Sequence, residues 1–142
     1  MSQLRAQDHQ FTVLEKGAEG NHPIIVGAVR ECLNAKLDSL AAIIEKFCEP
    51  QVAIVSLTIT EKGYCIDPAT GRLDMQNARI IHDLEHPSEP HSAPGILVEA
   101  LHRRRERGLP AFTVLSCDNI PDNGHVVKNA VLGMAQKRSA AL

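Results

Sequence analysis

Residues 52–59 read VAIVSLTI, a run almost unbroken in apolar and β-branched side chains. A strand with one solvated face alternates apolar and polar residues, whereas an unbroken run belongs to a strand covered on both faces. Such strands lie in parallel sheets between helices, so this stretch predicts an α/β layer protein. AFTVLSC, residues 111–117, has the same character and predicts a second buried strand.

The sequence around these two runs is helical in period. Asp38 precedes SLAAIIEKFCE, whose Leu40, Ile43, Ile44 and Phe47 share one helical face, and Glu49-Pro50 stops it. QNARIIHDLEH (76–86) predicts a short helix ended by Pro87. Ser92-Ala93-Pro94 opens another, with Leu97, Ala100 and Leu101 inward and Gly108 just past its end. A last helix runs from Asn123 to about Ser139, with Val127, Ala130, Val131 and Met134 on its buried stripe. Upstream, FTVLEK (11–16) and IIVGAVREC (24–32) read as an antiparallel hairpin joined by GAEGNHP, and the first residues read as a helix. The order is helix, hairpin, then α-β-α-α-β-α.

Bulk properties exclude several functions. The 142 residues are one domain's worth of chain, 44% hydrophobic and 23% charged, with a net charge of -2. That balance offers no field for nucleic acid or an anionic membrane, and three Phe, one Tyr and no Trp offer no base-stacking surface. Cys32, Cys48, Cys65 and Cys117 are irregularly spaced without a CxxC pair, which argues against a zinc ribbon or disulfide framework and for reduced thiols. No apolar run reaches the roughly 18 residues of a membrane span, and MSQLRAQDHQ is no signal peptide, so a cytoplasmic location is expected.

Both core-like runs end in polar residues. In open α/β sheets ligands collect beyond the carboxyl ends of parallel strands. SCDNIPDNG (116–124) brings Asp118 and Asn119 to one such end, and SLTITEKGYC (56–65) brings Thr58, Thr60 and Glu61 to the other. An Asn carboxamide there suits an oxygen that turns negative during reaction. Spacing alone nevertheless favours an Asx turn and a helix cap for Asp118 and Asn119, and a solvated turn for Glu61-Lys62-Gly63. His82 and His86 stand four apart and His91 follows, but no HExxH pattern or third ligand accompanies them. They read as a solvated helix face, with no metal site. HRRRERG (102–108) reads as a basic helix end facing water and the helix dipole.

With these stretches in place, the chain resembles the long-chain mannitol dehydrogenase family, which includes fructuronate reductases (D-mannonate oxidoreductases). LRAQDHQFTVLEK, SLTITEKGYCIDPATGRLD and GLPAFTVLSCDNIPDNG carry the likeness, in order along the whole chain. The resemblance implies a NAD-dependent oxidoreductase interconverting a polyol or sugar acid with its keto form. It implies that Asn119 holds the substrate or alkoxide oxygen, the opposite of what spacing alone favours. It also implies that Thr58, Thr60, Glu61 and Asp118 lie beside the cofactor, Asp118 being the more structural of its pair.

The family's Gly-rich phosphate turn and its Lys-x5-Asn-x3-His catalytic pattern are not in these residues. The expected fold class is thus α/β: a partial Rossmann-like sheet with a hairpin and flanking helices, lacking the first phosphate-binding βα unit. Residues 1–142 are expected to form part of an N-terminal domain, inactive alone. The alternative is a non-catalytic module that pairs with another chain or with itself through an exposed sheet edge.

Overall fold

The computed structural model describes residues 2–138. The chain divides into two compact units, one reaching to Ile43 and the other beginning at Ile44.

The first unit contains α1 (Ser2–Ala6) and an antiparallel hairpin of β1 (Phe11–Gly17) and β2 (Gly20–Val26). Its register runs from Phe11↔Val26 to Gly17↔Gly20. Only Ala18 and Glu19 are left to turn the chain, so the seven-residue loop expected from GAEGNHP is replaced by strand. Gly20, at φ +121°, adopts a backbone conformation that only glycine reaches without strain. Pro23 sits inside β2 opposite Leu14, which a two-stranded ribbon tolerates because its outer edge needs no donor. The strand expected to continue to Cys32 ends at Val26. Beyond it, Asp38 accepts from Arg5 Nη2 at 2.6 Å and from the Asn34 backbone at 2.8 Å. Asp38 is therefore not the cap of the next helix: Ser39 Oγ takes the Ala42 N–H at 3.3 Å instead.

α2 (Leu40–Phe47) leads into the second unit. There β3 (Ile54–Leu57) pairs in parallel with β6 (Thr113–Ser116), from Ile54↔Thr113 to Leu57↔Ser116. Between them come a 3-10 turn (Glu61–Tyr64), a small hairpin of β4 (Ile66–Asp67) and β5 (Arg72–Leu73), and helices α3 (Ala78–Glu85) and α4 (Ala93–Glu106). α5 (Asn123–Arg138) follows β6, and its expected end at Ser139 lies outside the described residues. The β4–β5 hairpin was not expected from sequence. Its turn is closed by Asp67, which accepts from Ala69 N and Thr70 Oγ1 at 2.9 Å each, and by Gly71 at φ +65°.

Of the two faces on which both parallel strands were expected to be covered, the described residues cover one. Val55 is buried and Leu57 and Val114 are half-buried, while Ile54 is 61% and Leu115 48% exposed. Val127 and Ala130 of α5 pack with Tyr64 against Leu57 and Val114, and so cover one face only. The run is apolar on both sides, but among the described residues the helices supply one layer.

The helix ends behave as local chemistry dictates. Asn77 Oδ1 caps α3 through Arg79 N, and Ser92 Oγ caps α4 through Gly95 N. Gly108, at φ +66°, ends α4 with the Leu109 N–H returning to the Arg104 carbonyl at 2.8 Å.

The basic run at that end is not a solvated face. Arg104 is 1% exposed; it donates to the carbonyls of Pro110, Phe47 and Glu49 at 2.7–2.8 Å and lies over the Phe112 ring. It satisfies carbonyls left free at the end of α2. Arg103 and Arg107 meet Glu45, and Arg103 and Arg138 meet the buried Glu99. The two guanidiniums hold the Glu45 carboxyl down at about 2, Arg107 contributing most. Because the folded form binds its proton more weakly than the unfolded chain, this stabilisation is full above about pH 4.5 and lost as pH falls toward 2. Half-exposed pairs are screened, so Glu45→Gln is expected to cost less than about 1 kcal/mol at neutral pH. The difference in urea midpoint between the two proteins should narrow through that same window.

Candidate active site

The parallel register sets the two polar segments side by side. Leu57 faces Ser116, and the Cys117 N–H donates to the Leu57 carbonyl at 2.9 Å, so both strands run out together at Thr58 and Cys117. The neighbour relation on which the sequence reading of Thr58, Thr60 and Glu61 depended is present.

Beyond β3 the chain passes through exposed Thr58 and Thr60 into the 3-10 turn, with Glu61 in its first residue. The turn closes through the Gly63 N–H onto the Thr60 carbonyl at 2.7 Å. It exists to bury one side chain. Tyr64 is 1% exposed and packs on Val127 and Ala130, and the following Cys65 takes φ +53° to redirect the backbone. The Tyr64 hydroxyl meets Ser116 Oγ at 2.8 Å and donates to Asp118 Oδ2 in a short hydrogen bond. Burial first, then the Asp118 carboxylate, pushes the Tyr64 phenol above its ordinary range, so at neutral pH it remains a donor.

The segment after β6 is tied at a second point. Asn123 Nδ2, at the start of α5, donates to the Asp118 carbonyl at 3.0 Å and to the Ser116 carbonyl at 3.4 Å. Asp118 is thus gripped through its side chain by Tyr64 and through its backbone by Asn123. It does not cap α5, contrary to the reading from spacing alone. Asn119, next in line, is exposed, and its carboxamide makes no hydrogen bond to any described residue. The side chains of Thr58, Thr60 and Glu61 are likewise exposed and unengaged among the described residues.

Tyr64, Ser116 and Asn123 were not singled out in the sequence. Tyr64 is the chain's one tyrosine, set in a polar run, and that oddity was the available signal. The histidines form a different arrangement. His82 and His91 stack at 3.8 Å between ring centroids, and His82 Nδ1 lies 3.2 Å from the buried Asp83. No described group of three His, Cys, Asp or Glu is disposed to hold a metal. No described helix is long and apolar enough to cross a membrane.

Residues 1–142 match the model of the mannitol dehydrogenase Rossmann domain. The chain belongs to the mannitol dehydrogenase family. It is 86% identical over 142 residues to the uncharacterized oxidoreductase YeiQ of Escherichia coli, covering all of this chain and 29% of that protein. To the D-mannonate oxidoreductase of the same organism it is 54% identical over 139 residues, 98% of this chain and 29% of that enzyme. The mannitol 2-dehydrogenase of Pseudomonas fluorescens, solved as a ternary complex with NAD and D-mannitol, superposes with a TM-score of 0.91 at 43% identity. That likeness covers 99% of this chain and 28% of the enzyme. The α/β arrangement, with its parallel β3–β6 pair, is that of this family's Rossmann-type domain. The chain spans less than a third of the relatives' length.

Proposed function

We propose that this chain is part of a NAD-dependent oxidoreductase interconverting a polyol or sugar acid, of the mannitol or mannonate type, with its keto form. The observation that carries the reading is the unengaged Asn119 carboxamide just beyond the carboxyl end of a parallel strand, on a segment fixed from both sides. Asn119 then donates an amide N–H to the reacting oxygen, an interaction that strengthens as that oxygen gains negative charge. The D-mannonate and mannitol relatives support the substrate class.

The free hydroxyls of Thr58 and Thr60 and the Glu61 carboxylate suit the sugar hydroxyls of a dinucleotide lying across the strand ends. Asp118, with one oxygen committed to Tyr64, borders that place and fixes it. When bound, nicotinamide supplies the hydride chemistry; these residues supply orientation and charge stabilisation. The sequence holds neither a Gly-rich phosphate turn nor the family's Lys-x5-Asn-x3-His pattern, so the 142 residues alone are expected to be inactive.

The test is a chimera in which these residues replace the matching segment of the D-mannonate oxidoreductase. It is expected to oxidise NADH with D-fructuronate or D-fructose, and in preference to NADPH, whereas the isolated chain gives no turnover. A chimera that unfolds as cooperatively as the parent yet leaves NADH unconsumed contradicts the reading.

A further inference from the structure

We infer that Tyr64 is a positioning residue for this reaction, its hydroxyl fixing Asp118 and thereby the segment on which the Asn119 carboxamide stands. The inference rests on Asn119 being the donor to the reacting oxygen. An exposed carboxamide with no hydrogen bond to any described residue has no means of its own to hold its orientation. Its precision must come through the chain, and the adjacent residue is where the chain is held. Asp118 is half-buried, its carboxylate takes the Tyr64 hydroxyl, and its carbonyl takes Asn123 Nδ2 at 3.0 Å.

Tyr64 is well suited to act as a strut. Its ring is locked among Val127 and Ala130 of α5, with Leu57 of β3 and Val114 of β6 packed around them. The hydroxyl therefore reports the position of the helix and both strands to the loop beyond β6. The one other side-chain contact of Asp118 among the described residues is weak, its carboxylate accepting from Ser116 Oγ at 3.5 Å. Without the phenol hydroxyl, the Asp118 carboxylate keeps no strong partner among the described residues, and the loop gains freedom at the residue before Asn119.

Tyr64→Phe removes the hydroxyl while keeping the packed ring, and is tested in the active chimera with and without Asn119→Ala. Displacing a reacting group by a fraction of an ångström to an ångström costs up to about 100-fold in rate, so Tyr64→Phe is expected to lower kcat by about 10- to 100-fold. KM for the keto substrate should stay within about twofold. Because Tyr64 acts through Asn119, the same change in the Asn119→Ala background should lower kcat by less than about twofold. A parental kcat in Tyr64→Phe, or an equal fall in both backgrounds, overturns the inference. A parental kcat in Asn119→Ala overturns instead the reading of Asn119 on which it rests. If Tyr64→Phe does not fold, Asp118→Ala in both backgrounds, with kcat read at saturating NADH because Asp118 borders the cofactor, carries the same comparison by severing the same link from its other end.

Discussion

Gly95→Ala is expected to destabilise the chain by about 1–3 kcal/mol or more, although the position is helical and carries an ordinary backbone. In an exposed helix interior the same change stabilises by roughly 0.5–1 kcal/mol, because Ala has less backbone freedom to lose. Here the new Cβ would stand 2.1 Å from Asp83 Oδ2 and 2.9 Å from Pro90 Cβ. Neither neighbour has room to yield. Asp83 is fully buried and accepts from His91 N at 2.6 Å, Ser92 N at 2.9 Å and Ser92 Oγ at 2.5 Å. Moving it strands the two buried Ser92 donors and the His91 N–H, and frees the Ser92 hydroxyl that caps α4. Gly124→Ala in α5 is the matched control, since no described atom lies within 4 Å of its added Cβ. Urea midpoints should fall steeply for the first variant and stay level or rise for the second. Equal midpoints would mean that the α3–α4 junction is not built around Asp83.

That junction also marks how far the sequence could be read. Periodicity and punctuation located the helices because Ser92, Pro94 and Gly108 act locally, each within one turn of its own position. Asp83 and Arg104 were illegible for the opposite reason. One stands in QNARIIHDLEH and the other in HRRRERG, where charge normally faces water, and only tertiary contacts turn them inward. The hairpin boundaries slipped because Pro23 reads as a breaker, yet an edge strand accepts it. The apolar runs mark two surfaces to be covered, and the described helices cover one of them. Ile54 and Leu115 remain exposed among the described residues.

For the candidate site, the two segments were legible and their connection was not. SLTITEKGYC and SCDNIPDNG were marked by strands ending in polar residues. Nothing in their spacing joins Tyr64 to Asp118 across 54 residues of chain. The distinction between Asp118 as anchor and Asn119 as free amide likewise rests on partners that only the folded chain assembles.

Asn119→Ala is expected to have the largest effect on activity. Loss of one preorganised donor to a developing oxyanion typically lowers kcat by about 100- to 1000-fold, roughly 2.7–4 kcal/mol of barrier. Its effect on stability should stay within about 0.5 kcal/mol, because the side chain is exposed and bonded to nothing in the described chain. A residue whose work was to cap α5 would behave inversely, costing about 0.5–2 kcal/mol of stability and sparing turnover. The decisive measurement is therefore kcat for NADH-dependent reduction of the keto substrate by the chimera and its Asn119→Ala variant, with urea midpoints taken on the same two samples. A fall in kcat of at least about 100-fold at an unchanged midpoint is expected. An unchanged kcat with a lowered midpoint would contradict the donor role of Asn119.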